Sequence, residues 1–287
     1  MSGEGAAIYT PRTCEETLRI WARVPDARLL SGGTDLLVRL KDALQWPVLI
    51  DISHVEELRG ISVDGAWLRI GARTSYTGLE RHAAAARYAD VLRAAAREVG
   101  APAIRNRGTL GGNLANASPA GDTIPALYAL DAEIELRTAG ETRHVPVAEF
   151  LCGPGRTVLK SQELICAVRI PLRPAWRGAF ARLGQRSALA ISKVSAAVRV
   201  WMQTGVVKDV RIALGAVAPT VLRVHDAEER VRGTRLADAD CTAAGEEAAR
   251  TAAPISDIRS DAAYRRAMCA VLVRDALRQC RPAGAQM

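Results

Sequence analysis

Two glycine-bearing segments of this chain carry residues that could bind a ligand. The first spans residues 29–36 and reads Leu-Leu-Ser-Gly-Gly-Thr-Asp-Leu. Adjacent glycines let the backbone turn so that successive N–H groups point at one anion, and a helix that starts directly after them adds its favourable dipole. Ser31 and Thr34 can add hydroxyl donors. The segment therefore predicts an anion-binding turn, and the alternative is an ordinary tight turn between a strand and a helix.

The second segment is longer and spans residues 109–122. It reads Thr-Leu-Gly-Gly-Asn-Leu-Ala-Asn-Ala-Ser-Pro-Ala-Gly-Asp. Gly111 and Gly112 would let a ligand approach the backbone closely, because they carry no side chain. The side chains that can bond sugar hydroxyls or amides are those of Asn113, Asn116, Ser118 and Asp122. A surface loop held by its own Asn and Ser turns is the alternative interpretation.

Neither segment has the glycine spacing of a Rossmann dinucleotide motif or of a P-loop, so those two modes of nucleotide binding are not supported. Two glycine turns in neighbouring parts of one chain suggest instead a diphosphate-containing cofactor clamped between them. The 6 cysteines show no C-x-x-C spacing, and the 4 histidines form no H-E-x-x-H motif. The sequence therefore predicts neither a metal site nor an iron–sulfur cluster on this chain.

Charge and composition exclude several classes of function. The net charge is +8, carried mainly by arginine, but there is no long basic run and aromatic residues make up only 4% of the chain. Such a chain lacks the footprint and stacking surfaces of nucleic-acid-binding proteins. No apolar run approaches the roughly 20 residues that cross a bilayer, and the N-terminus lacks the features of a signal peptide. We expect a cytoplasmic protein with no transmembrane segment and no nucleic-acid partner.

The predicted helices and strands around these segments form three units. Thr13, followed three residues later by Glu16, forms a capping box that predicts a first helix. Strand and helix signals then alternate around the first glycine segment. The stretch 171–176 carries two prolines and is the best candidate for a linker. The predicted units are residues 1–60, 61–175 and 176–287.

In the middle unit, Asp64 and Gly65 lie between apolar stretches and predict a hairpin. Residues 79–99 have helical spacing and predict one helix, and the stretch 103–122 is expected to be a long loop. The last unit predicts two paired strands around Thr204-Gly205, followed by three helices. The final helix is expected at Ala262–Gln279.

Both glycine segments resemble the FAD-binding subunit of the molybdenum hydroxylases, the family of xanthine dehydrogenase and carbon monoxide dehydrogenase. The second segment, together with Gly108 before it, is the most specific part of this resemblance. Weaker matches follow in the family's order along nearly the whole chain, at residues 163–171, 182–186, 188–192, 214–219 and 264–266.

The resemblance implies an α+β fold. Two subdomains of the PCMH or vanillyl-alcohol-oxidase type would hold FAD between them, in residues 1–60 and 61–175. A C-terminal α+β domain of the carbon monoxide dehydrogenase flavoprotein type would follow in residues 176–287, with a small antiparallel sheet and helices. The FAD is expected to be non-covalent, because neither glycine segment contains a histidine or cysteine for attachment.

The resemblance also implies roles for particular residues. The first segment looks like one pyrophosphate loop, and residues 109–113 look like the other. Asp122 matches a position near the cofactor's sugar or phosphates, Ile165 an apolar position beside the flavin, and Arg182 a position where relatives often carry lysine. No catalytic residue is implied. The implied cofactor-binding residues are Leu29, Leu30, Ser31, Gly32, Gly33, Thr34, Asp35, Leu36, Thr109, Leu110, Gly111, Gly112, Asn113, Asp122, Ile165 and Arg182.

The function that the resemblance implies is electron transfer as an oxidoreductase subunit. In the family, a large subunit with the molybdenum cofactor hydroxylates the substrate, a small [2Fe–2S] subunit carries electrons singly, and FAD passes them to NAD or another acceptor. Residues 188–192 favour the xanthine dehydrogenase-like branch. The alternatives are a self-sufficient flavin-dependent oxidase of the same superfamily and a cofactor-free basic binding module.

Overall fold

The structure is a computed structural model that describes residues 7–43, 45–173, 175–186 and 188–282. Residues 1–6, on which the signal-peptide prediction partly rests, and Pro174 of the predicted linker therefore lie outside the described residues. The chain contains both helices and strands, and the strands of the described residues form three larger sheets and one two-stranded ribbon. The α+β class expected from the resemblance is confirmed.

The first sheet is small and parallel, with strand order β1–β3–β2. Its central strand is apolar and buried, which is typical of a parallel sheet. The predicted capping box is confirmed in its first half, since the Thr13 hydroxyl accepts the Glu16 N–H at 3.0 Å. The Glu16 carboxylate accepts the N–H of Arg12 instead. The elements are β1 (Ile8–Tyr9), α1 (Cys14–Arg23), β2 (Arg28–Leu30), α2 (Leu36–Leu40) and β3 (Leu49–Asp51).

The second sheet is antiparallel. Its first two strands, β4 (Ile61–Asp64) and β5 (Trp67–Gly71), form the predicted hairpin, and Asp64 pairs with Trp67. Six helices follow, namely α3 (Tyr76–Arg81), α4 (Ala83–Tyr88), α5 (Asp90–Glu98), α6 (Pro102–Arg107), α7 (Leu110–Asn116) and α8 (Thr123–Ala129). The remaining elements are β6 (Glu133–Arg137), β7 (Thr142–Pro146), α9 (Val147–Phe150), β8 (Leu151–Gly153), β9 (Arg156–Thr157) and β10 (Leu164–Pro171). The strand order in this sheet is β4–β5–β10–β6–β7.

The single helix predicted at residues 79–99 was wrong, because three short helices cover this region. The chain is extended at His82, which caps α4 by accepting the Ala84 N–H at its ring nitrogen. Leu79 in α3 and Leu92 in α5 are both fully buried in one core. Because the helical stretch is interrupted, α3 and α5 can both pack into this core, which one straight helix could not do.

The prediction of a long loop at residues 103–122 was also wrong, because this stretch contains most of α6 and all of α7. Pro102 stands in the first turn of α6, where its missing N–H costs nothing. Leu110 and Leu114 of α7 are fully buried. This burial stabilises a helix that its glycines and asparagines would not support alone.

The third sheet is antiparallel and has the order β11–β12–β13–β14. Alternate residues of its strands pack on the last three helices, as Val198 and Ile212 do. The predicted strand pair and the final helix are confirmed. The elements are β11 (Trp176–Leu183), β12 (Val194–Gln203), β13 (Val206–Gly215), β14 (Leu222–Arg223), α10 (His225–Val231), α11 (Asp238–Thr251) and α12 (Ala262–Gln279).

The opposite face of the third sheet packs against α5 and α8. At Gly178 the N–H donates to the Asp90 carboxylate at 2.6 Å. At Gly215 a Cβ would lie 2.6 Å from Cγ of Pro125, so the absence of a side chain permits the approach. The three sheets span residues 8–51, 61–171 and 176–223, while the boundaries of the predicted subdomains remain a prediction. In the described part of the chain, no helix combines the length and apolar character of a membrane span.

Candidate cofactor-binding site

The first glycine segment leaves β2 and enters α2. Gly33 has a φ of +76°, in the left-handed region that favours glycine. Gly32 lies against the backbone carbonyl of Arg107, and a Cβ at this position would overlap it. The segment is therefore a constrained turn that packs against the end of α6, just before the second segment begins.

The two glycines of the second segment lie in the first turn of α7 and have different surroundings. At Gly111 a Cβ would lie 2.7 Å from Cβ of Ala72, so the missing side chain lets α7 pack on the end of β5. Gly112 is exposed. Outside the backbone of α7, the only atom that its Cβ would meet within 4 Å is the Thr109 hydroxyl oxygen, at 2.9 Å. Of these two glycines, Gly112 has the open side from which a ligand could approach.

The structure brings the two segments together. The Ser31 and Thr109 hydroxyl oxygens are 3.3 Å apart. The Asn116 side-chain amide donates to the Asp35 carboxylate at 3.2 Å, and its oxygen accepts a hydrogen bond from Arg39. Residues about 80 positions apart in the sequence thus meet. Ser31 lies against the start of α7, and Asp35, at the start of α2, lies against the end of α7. A cleft of about 350 Å³ opens beside this meeting point.

The donors at the meeting point fit a diphosphate. Among the described residues, the backbone N–H groups of residues 32–35 donate no hydrogen bond to the protein. Such free N–H groups in a turn before a helix are typical of phosphate binding. The N–H groups of Leu110 and Gly111 instead bond to carbonyls of Thr74 and Ala72. The first segment therefore supplies most of the free backbone donors, and α7 supplies the surface that faces them.

Asp122 and Arg182 form a second cluster with Ser192 where the third sheet meets the rest of the molecule. The Ser192 hydroxyl donates to Asp122 at 2.6 Å, and the Arg182 guanidinium lies 3.7 Å from the same carboxylate. Arg182 also donates to Glu98 at 3.1 Å and is almost fully buried. Burial raises the pKa of Asp122 to about 6, although the bond from Ser192 and the charge of Arg182 oppose that rise.

This cluster is connected to the second glycine segment. The Thr123 hydroxyl, next to Asp122, donates to the Asn113 side chain at 2.6 Å. Ile165 lies apart from the cluster, in β10 beneath α7, and only 7% of its surface is exposed. It can therefore offer a ligand little more than an apolar edge. The cofactor-binding roles of these residues remain a prediction.

Several residues that complete this arrangement were not predicted as site residues. Ser192 and Glu98 each reach a predicted residue from a distant part of the chain, and Arg39 bonds to Asn116. Asn116 was noted for its hydrogen-bonding side chain, but its link to Asp35 was not expected. No local pattern in the sequence signals such contacts, because they depend on how separate elements pack.

Two family models together match most of the chain. The FAD-binding domain in molybdopterin dehydrogenase matches residues 4–173. The carbon monoxide dehydrogenase flavoprotein C-terminal domain matches residues 179–280. Because the first model covers more than half of the chain, the chain belongs to the FAD-binding family of the molybdopterin dehydrogenases.

Relatives and a solved structure agree with this assignment. The chain is 31% identical to the xanthine dehydrogenase FAD-binding subunit of Escherichia coli O157:H7, over 91% of this chain and 90% of that protein. It is 32% identical to the nicotine 6-hydroxylase medium subunit of Paenarthrobacter nicotinovorans, over 92% and 93%. Carbon monoxide dehydrogenase from Hydrogenophaga pseudoflava has a chain that superposes with a TM-score of 0.91 at 31% identity, covering 98% of both chains.

Proposed function

We propose that this chain binds FAD non-covalently and is the electron-transfer subunit of a molybdenum hydroxylase. The observation that carries the proposal is the contact between the two glycine segments, with the free N–H groups of residues 32–35 at that contact. This arrangement offers a row of positive dipole ends to a diphosphate. The family to which the chain belongs supplies the identity of the cofactor.

The residues of this chain would bind and orient the cofactor. The turn at residues 32–35 would hold the diphosphate, and Gly112 would leave room for it. Asp122 would stand beside the cofactor's sugar or phosphate region, held in place by Ser192. Bound FAD would supply the ability to accept electrons singly and release them in pairs. No proton transfer by a side chain of this chain is required.

The partners follow from the same proposal. A large subunit with the molybdenum cofactor would hydroxylate the substrate, and a small [2Fe–2S] subunit would pass electrons to this chain, all in the cytoplasm. We also propose NAD as the acceptor and the xanthine dehydrogenase-like branch, which residues 188–192 favour. Identity alone does not separate the branches, because relatives named for xanthine and for nicotine are 31% and 32% identical. Reduction of the bound flavin by NADH in the purified complex would support this acceptor, and failure of that reduction would exclude it.

The variant Gly112→Val tests the cofactor site. The branched side chain would project from the open side of the first turn of α7, where the diphosphate must approach. We expect FAD to be lost while the fold is retained. The measurements are FAD per chain from flavin absorbance and helix content from circular dichroism. A variant that binds FAD normally would show that the diphosphate does not lie here.

The matched control is Gly140→Val. Gly140 lies in an exposed turn between β6 and β7, and a Cβ there would meet no atom within 4 Å. This variant makes the same chemical change away from both glycine segments. It should retain both FAD and helix content, so that any loss in Gly112→Val reports on the site and not on valine itself.

A further inference from the structure

Three arginine side chains surround one tryptophan where the third sheet meets α5. The guanidinium carbons of Arg173, Arg199 and Arg211 lie 5.4, 5.2 and 5.3 Å from the centre of the Trp176 ring. Arg199 and Arg211 are also direct cross-strand neighbours in β12 and β13, so their like charges share one face of the sheet. We call these four residues the Trp176 cluster. None of them lines the cleft beside the glycine segments.

Arg199 is buried without the hydrogen bonds that its charge requires. Its side chain is 1% exposed, and its Nε and Nη1 atoms have no hydrogen-bond partner among the described residues. The Asp90 carboxylate lies 3.9 Å from Nε, which is too long for a hydrogen bond. Both oxygens of Asp90 already accept backbone N–H groups, those of Val91 at 2.9 Å and of Gly178 at 2.6 Å.

The other two arginines of the cluster have a carboxylate partner. Arg173 donates to Asp131 at 2.7 Å, and Arg211 donates to the same oxygen at 3.0 Å. Burial, together with the nearby charge of Arg173, lowers the pKa of Arg199 to about 10, although the charge of Asp90 opposes this. Arg199 therefore remains protonated at neutral pH. A buried, charged guanidinium with unpaired N–H groups is costly unless another molecule satisfies it.

We propose that the Trp176 cluster binds a small inorganic anion, which accepts hydrogen bonds from the unpaired N–H groups of Arg199. A water molecule accepts the same hydrogen bonds, but it brings no charge to offset that of the guanidinium. An anion of one or a few atoms suits the cluster better than an organic acid, because Arg199 is almost fully buried. Arg173 is 32% exposed, so the cluster reaches solvent on that side.

The bound anion would help to hold the third sheet in place. Arg199 and Arg211 belong to that sheet, Arg173 belongs to the segment that leads into it, and Asp90 is the first residue of α5. An anion among them would join these three parts through one set of hydrogen bonds. This site is separate from the candidate cofactor site, so its occupation does not depend on FAD.

The test uses chloride as the probe and gluconate as a bulky anion that keeps the ionic strength constant. Urea unfolding of the full chain is measured in mixtures of sodium chloride and sodium gluconate, with excess FAD present. The proteins are wild type, Arg199→Met and Arg235→Met. Methionine fills the space of the arginine stem without its charge. Arg235 is an exposed arginine between α10 and α11, so its variant makes the same change outside the cluster.

We expect the unfolding equilibrium constant of wild type to fall about tenfold when chloride reaches ten times its dissociation constant. Arg235→Met should respond like wild type, and Arg199→Met should not respond to chloride. Equal responses of all three proteins would overturn the proposal, because they would show a general effect of the salt. The absence of any response in wild type would also overturn it, since a water molecule would then satisfy Arg199.

A crystal grown in sodium bromide keeps the proposal testable if Arg199→Met fails to fold. Bromide replaces chloride chemically and gives an anomalous X-ray signal. The wild-type chain should show an anomalous peak within about 3.5 Å of Nε or Nη1 of Arg199. The lack of a peak there would refute the site. A peak without the chloride-dependent stability of wild type would mean an adventitious ion only, which also refutes it.

Discussion

Asp122 shows how the fold tunes a single side chain. Its carboxylate lies beside Ser192 and Arg182, yet the loss of hydration on burial outweighs both partners and raises its pKa to about 6 from 3.8. A carboxyl whose pKa is raised on folding stabilises the protein only while it is protonated. Its contribution is complete below pH 3.8 and is lost as the pH rises through about 6. The shift corresponds to about 3 kcal/mol.

Asp122→Asn should remove this pH dependence. The amide oxygen can still accept the hydrogen bond from Ser192, but the side chain can no longer ionise. In the FAD-free chain, we expect the variant to gain stability relative to wild type as the pH rises from about 4 to 7, by up to about 3 kcal/mol. Urea unfolding of both proteins across this range measures the difference. A difference in stability that stays constant with pH would show that folding does not raise the pKa of Asp122.

The sequence allowed us to predict site residues where their effect depends on the backbone of their own segment. The hydroxyls and glycines at residues 31–34 and 109–112 lie at the meeting point of the two segments. The different surroundings of Gly111 and Gly112 were not predictable, because they arise from the position of Ala72, which packs against Gly111 but not against Gly112. The same limit applies to Ser192, which reaches Asp122 across 70 residues of sequence.

Helix α7 as a whole could also not be predicted from its sequence. Its sequence, Leu-Gly-Gly-Asn-Leu-Ala-Asn, has low intrinsic helix propensity and was predicted to be part of a loop. It forms a helix because Leu110 and Leu114 are buried and the Thr109 hydroxyl accepts the Gly112 N–H at 3.2 Å. Strong local patterns, such as those of the hairpin at Asp64-Gly65 and of α12, were predictable because their own residues determine them.

Thr109→Val tests how far this helix depends on its cap. Valine has the shape of threonine but lacks the hydroxyl that bonds to Gly112 and lies 3.3 Å from Ser31. We expect the free energy of unfolding to fall by about 1 kcal/mol, and FAD to bind more weakly because the first turn of α7 loosens. Chemical unfolding and FAD titration measure the two effects. Thr109→Ser retains the hydroxyl and should preserve most of both, so equal losses in the two variants would contradict a capping role.

The candidate site also depends on how the third sheet packs against the rest of the protein. Ser192 and Arg182 reach Asp122 only because the sheet packs closely against α5 and α8. Gly178 and Gly215 make that approach possible, since a Cβ at either would lie within 2.6 Å of Asp90 or Pro125. The sequence did not predict this contact, because nothing in the two strands that hold these glycines indicates which helix packs against them.

Gly215→Val should therefore disturb the site from a distance. Its side chain would meet Oγ of Ser195 in β12 and Cγ of Pro125 in α8, and would displace the sheet from α8 at a cost of about 1–3 kcal/mol in stability. The Ser192–Asp122 bond would be strained or lost, and we expect weaker FAD binding although residue 215 lies in neither glycine segment. Thermal unfolding and FAD titration measure the two effects, with the exposed Gly140→Val as the reference. If Gly215→Val lowers stability but leaves FAD affinity unchanged, the cofactor site would be confined to the first two sheets and the third would serve only to stabilise them.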